Sequence, residues 1–271
     1  SYYSFEGCKD ALGQQVGSPL EKSSRKVKVK VMNASELYDP EFRELIKLKK
    51  PTVIIPVGSL EQHGAHLPIT TDSDIVTEIA SRLAKKCGFI VFPTINYGIS
   101  FEHSPLFNTS LPTIDLRTIL ANIVISLVEN GITSIIILNG HHGNHDTLKR
   151  LQKKYSRAQA IPPNIYKQLK FRYESYWHFM KHEFDHAGFV ETSLMLAISD
   201  KVKMKKAKKG FTTKGMSEKE IQRINKLSTQ SGGFPKVAKN GVWGDPTGAT
   251  KKDGEKFLAE IVRNLAKECQ T

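Results

Sequence analysis

Three short apolar runs alternate with three stretches of helical periodicity, and this alternation constrains the fold more than any other feature of the sequence. The apolar runs predict strands at residues 52–57, 89–92 and 134–138. The periodic stretches predict helices at residues 74–86, 116–129 and 146–157. Because the connections are short, the pattern favours a parallel sheet covered by helices on both faces.

The rest of the chain has weaker patterns. Three further helices are predicted at residues 35–49, 192–198 and 254–268. Ser35 is the predicted N-cap of the first of them. Residues 166–183 are rich in aromatic side chains, and residues 212–239 are interpreted as a turn-rich excursion.

The composition is that of a globular protein with a sizeable core. Of 271 residues, 39% are hydrophobic and 25% charged, and no apolar run approaches the roughly 18 residues of a membrane-spanning helix. Residues 1–24 are predicted to be an N-terminal extension or a cloning remnant, and residues 25–271 a single domain. Three widely spaced cysteines and the absence of a secretion signal predict a cytoplasmic location.

The net charge of +13 raises nucleic acid or another polyanion as a partner. Six lysines, however, lie between residues 201 and 209, and a second basic cluster lies at residues 25–30. No aromatic residue interrupts either cluster, as a base-stacking surface requires. The charge is therefore segmental, nucleic acid is not favoured, and the lysines form either a solvated face or a loose loop.

All nine histidines lie between His63 and His186. Since histidine is the commonest metal ligand and general acid or base, this window is where chemistry is expected. Two histidine-rich motifs, at residues 58–66 and 139–145, follow the first and third predicted strands, and a third motif at residues 98–103 follows the second. In a parallel sheet all three reach the edge where ligands bind.

Glu61, His63 and Asp72 form the first candidate ligand set. Glu61 and His63 are two residues apart just past a strand end, where an extended backbone sends both side chains to one side. Asp72 follows just before a predicted helix. Carboxylates and imidazoles suit Zn²⁺, Mn²⁺ or Fe²⁺. Alone this set is compatible with a structural role, but His141 and Glu191 extend it to five ligands, enough for two ions.

Four separated motifs resemble the creatininase (creatinine amidohydrolase) family, over most of the chain from about Val29 to Leu265. The motifs are Gly58 to Pro68 with the following Asp72, Asn139 to Asn144, His186 to Ser193 and Gly244 to Thr250. The resemblance implies a three-layer α/β/α sandwich with a mostly parallel central sheet, assembled as a hexamer. It also implies a metal-dependent amidohydrolase, in which a metal-bridging hydroxide attacks a carbon–nitrogen amide bond other than a peptide bond.

The resemblance assigns roles to residues of this chain. The implied metal ligands are Glu61, His63, Asp72, His141 and Glu191. Asp72 would bridge two ions of Zn, Mn or Fe, with Glu61 and His141 on one ion and His63 on the other. Glu191 would be the remaining carboxylate of the second ion and is grouped with His186 as catalytic. His186 would carry a proton to the leaving nitrogen.

Two departures separate this chain from members that hydrolyse creatinine. Those members have His-Tyr-Glu at the third strand's motif, with the Glu as a metal ligand, whereas this chain has His141, His142 and Gly143. Glu191 is the predicted substitute. They also place a tryptophan four residues before the catalytic histidine, where this chain has His182. The His-x-Gly-Asn form resembles relatives that include archaeal formamidopyrimidine deformylases of riboflavin biosynthesis and its deazaflavin branch, whose substrate carries a ribose phosphate.

Further residues at the rim of the site are candidates for binding the substrate. The expected substrate is a small amide, with or without a phosphate group. They are Ser100, Glu102, His103, His142 and His182. His66 and His103 are alternatively hydrogen-bonding neighbours of the ligands, and His145 is interpreted as a helix-start residue. Asp74 is the predicted cap of the helix that starts there.

Other functions stay open at this stage. Within the family the alternatives are creatinine hydrolysis and peptide processing. Outside it they are a scaffold protein without metal and a non-catalytic polyanion-binding protein, which the charge alone indicates. Metal content tests the first, and a steep salt dependence of binding tests the second.

Overall fold

The computed structural model describes residues 32–155, 169–183 and 185–270. Within these residues one parallel sheet of five strands forms, in the order β1-β3-β2-β4-β5. The strands are β1 (Met32–Asn33), β2 (Thr52–Val57), β3 (Ile90–Val91), β4 (Ser134–Asn139) and β5 (Lys170–Ser175). The parallel register of β2 with β4 runs from Thr52 opposite Ser134 to Val57 opposite Asn139. The carboxyl ends of the two central strands therefore lie side by side.

The helices of the described residues cover both faces of this sheet. They are α1 (Asp39–Lys49), α2 (Thr71–Cys87), α3 (Thr113–Glu129), α4 (His145–Tyr155), α5 (Phe189–Ile198), α6 (Glu218–Ser228), the four-residue α7 (Phe234–Val237) and α8 (Lys251–Gln270). Helices α2, α5 and α8 pack on one face, and α3 and α4 pack on the other with α1 at their side. The predicted three-layer α/β/α sandwich is confirmed.

Alternation along the buried strands divides the core in two. In β2, Val53 and Ile55 face the α3 and α4 side, while Ile54 faces the α2 and α8 side. In β4, Ile137 and Leu138 make the same division. Because both faces of each central strand are apolar, polar residues are confined to the strand ends, and this places the candidate site there.

Two predicted helix caps, Ser35 and Asp74, were wrong. The helix expected from Ser35 begins at Asp39, because Pro40 fits only its first turn and a short 3₁₀ turn at Ala34–Glu36 precedes it. Asn33, rather than Ser35, caps that turn. Helix α2 begins at Thr71, so Asp74 lies inside the first turn and accepts a hydrogen bond from Thr70 instead of capping the helix.

Two segments without a clear sequence pattern contain regular secondary structure. The aromatic-rich segment contains β5, and the supposed excursion contains α6 and α7. All six lysines between residues 201 and 209 are exposed, which confirms the solvated face. Residues 1–24 and the end of the helix predicted at 146–157 lie outside the described residues. No helix within the described ranges is long and apolar enough to span a membrane.

Replacing Ile137 by alanine is expected to lower the free energy of unfolding by about 2–5 kcal/mol. Ile137 is 0% exposed in the core beneath α3 and α4, so the change leaves a cavity in the central strand. Denaturant-induced unfolding measures the effect. The matched control is Ile114→Ala on α3, where the side chain is 52% exposed and the expected change is within about 0.5 kcal/mol. Equal losses in the two variants would contradict this core assignment.

Candidate metal centre

Three loops that leave the strand ends are held together by Asn144. Its side-chain Nδ2 donates to the carbonyl oxygen of Gly58, 3.0 Å away, in the loop after β2. Its Oδ1 accepts from the main-chain nitrogen of Ile99, 2.9 Å away, in the loop after β3. Asn144 itself follows β4, so one amide group fixes the three motifs relative to one another.

Asp72 lies between two histidines. Its Oδ1 is 3.2 Å from Nε2 of His63, and its Oδ2 is 3.0 Å from Nδ1 of His141. Asp72 is only 2% exposed and lies in the first turn of α2, where the helix dipole favours a carboxylate. Each carboxylate oxygen thus faces a different imidazole, which is the arrangement that a bridging ligand needs.

Glu191 lies on the His63 side of this pair. Its Oε2 is 3.5 Å from His63 Nε2 and accepts from the main-chain nitrogen of Ala187 at 2.7 Å. The first turn of α5 carries Glu191, and Asp185 holds that turn by accepting from the nitrogens of Val190 and Glu191. Glu191 is 0% exposed, so helix α5 delivers a carboxylate directly into the buried cluster.

Glu61 lies on the His141 side. Its Oε2 is 3.3 Å from Nε2 of His141, and its Oε1 is 3.1 Å from Nε2 of His103 and 3.8 Å from Nδ1 of His186. Glu61 is also fully buried. The predicted residues Glu61, His141, His103 and His186 are therefore brought together around one carboxylate.

Main-chain oxygens fix the two central imidazoles. Nδ1 of His63 donates to the carbonyl oxygen of Glu61 at 3.1 Å, and Nε2 of His141 donates to that of Ile99 at 2.7 Å. The opposite ring nitrogens, which face Asp72, are then left without hydrogen in the neutral rings and can bind a cation. His66 is held differently, since its Nε2 is hydrogen-bonded to Thr192 Oγ1 at 2.9 Å.

The cluster fits the divalent ions that the sequence predicts. Several buried atoms have no hydrogen-bond partner within the described part of the chain, namely Glu61 Oε1, His63 Nε2, Asp72 Oδ2 and Glu191 Oε1. Potential ligand atoms lie within 4.8 Å of one another in three groups of the described residues, none of which includes His141. The groups are Glu61, His63 and Asp72; His63, His186 and Glu191; and Glu61, His103 and His186. Buried carboxylates and imidazoles without other partners form a set suited to Zn²⁺, Mn²⁺ or Fe²⁺.

Burial and close charges shift the pKa values across this cluster. Burial lowers the pKa of His63, but Asp72 and Glu191 outweigh it and raise that pKa to about 10. Burial raises the pKa of Glu191 to about 8, although His63 acts in the opposite direction. Burial, together with the charges of His63 and His103, lowers the pKa of His186 well below its ordinary value. The carboxylates and imidazoles of the cluster therefore influence one another's charge strongly.

Gly143 is the position at which the family resemblance implies a glutamate ligand in members that hydrolyse creatinine. A Cβ atom on this residue would collide with the carbonyl oxygen of Ile99 and lie 2.5 Å from His141 Nε2. It would also lie 2.8 Å from Oε1 of Glu102, so Glu102 is the carboxylate next to this position. Glu191 lies instead beside His63. That Glu191 replaces the ligand missing at position 143 stays a prediction. Gly143 lies beside His141, whereas Glu191 lies on the His63 side of Asp72.

We expect Gly143→Ala to weaken metal binding about 10-fold or more, because the added methyl group pushes the Ile99 carbonyl away from His141. Metal titration of the purified variant measures this loss. Gly248→Ala is the matched control, since a Cβ atom there meets nothing within 4 Å. Unchanged affinity in Gly143→Ala would show that the Ile99 contact does not hold His141 in place.

A cavity of about 590 Å³ opens onto the cluster. Among the predicted substrate-binding residues, Glu102, His103 and His142 line it. Ser100 is fully buried outside this lining, and His182 is exposed and lines an adjacent cavity of about 440 Å³. The structure thus brings three of the five to the cluster and leaves Ser100 and His182 apart from it.

Other walls of the cavity come from residues that the sequence did not indicate. The aromatic side chains are Trp177, Phe234 and Trp243, and the loop and helix residues around α6 are Thr213, Ile221, Asn225, Ser228 and Thr229. Glu183 and Asp185 add two carboxylates to those of the predicted Asp72, Glu102 and Glu191. No lysine or arginine belongs to the described lining. The positive charge of the chain is therefore not on the walls of this cavity.

The family model described as creatinine amidohydrolase matches residues 35–269. The chain belongs to the creatininase family. Creatininase-family relatives are hydrolases of carbon–nitrogen amide bonds, and this chain is a metal-dependent hydrolase of that class. The predicted class, a metal-dependent hydrolase of carbon–nitrogen amide bonds, is confirmed.

Relatives in this creatininase family have diverse substrates. The mycofactocin precursor peptide peptidase of Mycolicibacterium smegmatis is 33% identical over 227 residues, 80% of this chain and 83% of that protein. A 2-amino-5-formylamino-6-ribosylaminopyrimidin-4(3H)-one 5′-monophosphate deformylase of Methanosphaera stadtmanae is 36% identical over 103 residues, 37% of this chain and 44% of that protein. A crystal structure of creatinine amidohydrolase is similar in fold, with a TM-score of 0.71 at 24% identity. The match covers 88% of this chain and 96% of that chain. Solved creatininases include forms described as Zn-Zn and Mn.

Gln62 is a residue of this creatininase-family site that the sequence analysis missed. Its side chain contacts both His103 and His186. The available signal was its place between two predicted metal ligands, Glu61 and His63.

Proposed function

We propose that this chain cleaves amide bonds with two divalent ions. Glu61, Asp72 and His141 would hold one ion, and His63, Asp72 and Glu191 the other. The observation that carries the proposal is Asp72, whose two oxygens lie 3.2 Å and 3.0 Å from different histidines. The Zn-Zn and Mn forms of solved creatininases support the same classes of ion.

The bound ions would activate a water molecule as the nucleophile and polarise the carbonyl group that it attacks. The residues of the chain supply the remaining functions. His186 borders the cavity with Nδ1 3.8 Å from Glu61 Oε1, where it can pass a proton to the leaving nitrogen. Trp177 and Phe234 line the same cavity and offer apolar surface to the substrate.

The proposed substrate is a neutral or cationic amide about the size of a short peptide. The 590 Å³ cavity has ample room for such a substrate, and its described lining is acidic and aromatic without lysine or arginine. A phosphorylated substrate would find no cationic side chain there to pair with its phosphate. The similarity to a peptide peptidase over 80% of the chain supports the same substrate class.

Deformylation of a formamidopyrimidine nucleotide is the second candidate. The observation that favours it is the 36% identity with the deformylase, although that match covers 37% of this chain. Creatinine itself is less favoured, because His182 stands where its hydrolases have a tryptophan.

The test is a hydrolysis screen of the zinc-loaded and manganese-loaded protein. The substrates are a set of short peptides of varied sequence, formamidopyrimidine nucleotide and creatinine, with mass spectrometry for peptide products and a formate assay for deformylation. Peptide cleavage that requires added metal supports the first proposal. Formate release without peptide cleavage establishes the second candidate instead. A protein that binds fewer than two ions per chain contradicts the dinuclear centre.

Two further expectations accompany the proposal. A hexamer is proposed from the family resemblance, and sedimentation analysis measures it. The cytoplasmic location stays a prediction. Binding to a polyanion through the exposed lysines is the alternative of another class, and it requires an affinity that falls steeply with salt concentration.

A further inference from the structure

The side-chain amide of Gln62 lies between two histidines of the cavity. Its Nε2 is 2.9 Å from Nδ1 of His103 and 3.1 Å from Nε2 of His186. Gln62 is only 9% exposed, and the centres of the two imidazole rings are 4.8 Å apart. One buried amide group therefore connects two histidines that both border the substrate cavity.

The oxygen of this amide determines which way the group is turned. Oε1 of Gln62 accepts a hydrogen bond from the main-chain nitrogen of Gly64 at 2.9 Å. A main-chain nitrogen can only donate, so the end that faces the histidines is the NH₂ group. Gly241 closes the oxygen side, because a Cβ atom at this residue, whose φ is +74°, would collide with Oε1. If the amide were turned over, its NH₂ group would face the main-chain N–H of Gly64, and two donors would oppose each other.

This orientation determines the position of the hydrogen on His103. An NH₂ group donates, so Nδ1 of His103 must accept and carries no hydrogen. The hydrogen of the neutral ring is then on Nε2, which faces Oε1 of Glu61 at 3.1 Å without forming a hydrogen bond to it. Gln62 thus determines that the nitrogen of His103 facing the Glu61 carboxylate is the one that carries the hydrogen.

His186 meets two kinds of partner on the same glutamine. Its Nε2 is 3.1 Å from the side-chain Nε2 of Gln62 and 3.1 Å from the main-chain oxygen of Gln62. Nε2 of His186 can therefore accept from the Gln62 side chain when it carries no hydrogen, and it can donate to the Gln62 main-chain oxygen when it carries one. The other nitrogen, Nδ1, points towards Glu61 at 3.8 Å. Gln62 holds the ring through Nε2 and leaves Nδ1 for the reaction.

We propose that Gln62 is a positioning residue, which fixes the hydrogen of His103 on Nε2 and makes Nδ1 of His186 the nitrogen that moves the proton. The part that concerns His186 rests on the proposed function. The part that concerns His103 rests on hydrogen bonds alone, so the two can be tested separately.

The decisive variant is Gln62→Glu in the zinc-loaded protein, because it replaces a donor by an acceptor of the same shape. We expect imidazole ¹⁵N spectra to show the His103 hydrogen on Nε2 in the unchanged protein and on Nδ1 in Gln62→Glu. The value of kcat is expected to fall about 10- to 100-fold, as for other partners that orient residues at a metal site, with KM little changed and two zinc ions retained. Gln62→Met, which removes the amide, is expected to give a similar loss of kcat.

Gln222→Met, on the exposed side of α6, is the matched control and should leave the spectra and kcat unchanged. A His103 hydrogen on Nδ1 in the unchanged protein would overturn the proposal, and so would an unaltered kcat in both Gln62 variants. Loss of zinc would also overturn it, because Gln62 would then support the ions and not the histidines. If the unchanged protein hydrolyses no amide but gives the expected spectrum, the proposed function fails while the role of Gln62 towards His103 stands. If neither variant folds, the spectrum of the unchanged protein still decides the His103 assignment.

Discussion

Asp72→Ala is expected to remove both metal ions and to lower the rate of amide hydrolysis more than about 100-fold. Loss of a residue that only hydrogen-bonds to a metal ligand costs about 10- to 100-fold, and loss of a shared ligand should cost more. Asp72 is the residue that faces both histidines, with one oxygen 3.2 Å from His63 and the other 3.0 Å from His141. Its removal leaves each ion short of a carboxylate. It also leaves the two imidazoles without the negative charge that balances a bound cation.

Metal analysis of the purified variant and turnover of the best substrate together measure this effect. Asp74→Ala is the matched control, because Asp74 lies two residues further along the same helical turn and is hydrogen-bonded to Thr70. This control should keep both ions. Two ions retained in Asp72→Ala, or full activity without them, would show that Asp72 does not bridge a metal pair.

The layout of the site was predictable because it follows from the layout of the sheet. Apolar β2 and β4 are adjacent and parallel, so the polar residues after each of them meet at one edge. This is why Glu61 and His141, which are distant in sequence, could be expected to lie together. Their fine arrangement was not predictable, since it depends on hydrogen bonds to main-chain oxygens such as that of Ile99.

Glu191 shows the limit of reasoning from residues alone. No periodicity connects it with His63. Its residue type made it a candidate fifth ligand, and the family resemblance assigned it to the second ion. The structure brings it to 3.5 Å from His63 because Asp185 holds the first turn of α5. Such a contact depends on the packing of a helix that enters late in the chain, and packing is not encoded in local sequence patterns.

Helix α6 was missed for a different reason. Its start carries a capping box, in which Ser217 and Glu220 bond reciprocally, and this signal was present in the sequence. The surrounding glycine and proline residues led to the interpretation as an excursion. The same helix contributes Ile221, Asn225 and Ser228 to the cavity wall, so a polar segment without a buried strand still forms part of the site.

His186→Ala is expected to keep both metal ions and to lose about 10²- to 10⁴-fold in kcat, the usual contribution of a general acid or base. His186 borders the cavity, and its Nδ1 is 3.8 Å from Glu61, but none of the proposed ligand sets requires it. Metal analysis and steady-state kinetics measure the two halves of this prediction. His145→Ala, at the start of α4 and hydrogen-bonded to Tyr173, is the control that should retain turnover.

The leaving group separates proton transfer from other roles of His186. An amide whose leaving nitrogen belongs to a weakly basic aromatic amine departs with less need of a proton, so its hydrolysis should depend less on a general acid. We therefore expect the loss in His186→Ala to shrink to about 10-fold or less for such anilides, while ordinary alkyl amides show the full loss of about 10²- to 10⁴-fold. If His186 instead stabilised the attacked carbonyl oxygen, the loss would be similar for both leaving groups. An equal loss across the series would therefore remove the proton-carrier assignment, and loss of metal in the variant would place His186 among the ligands.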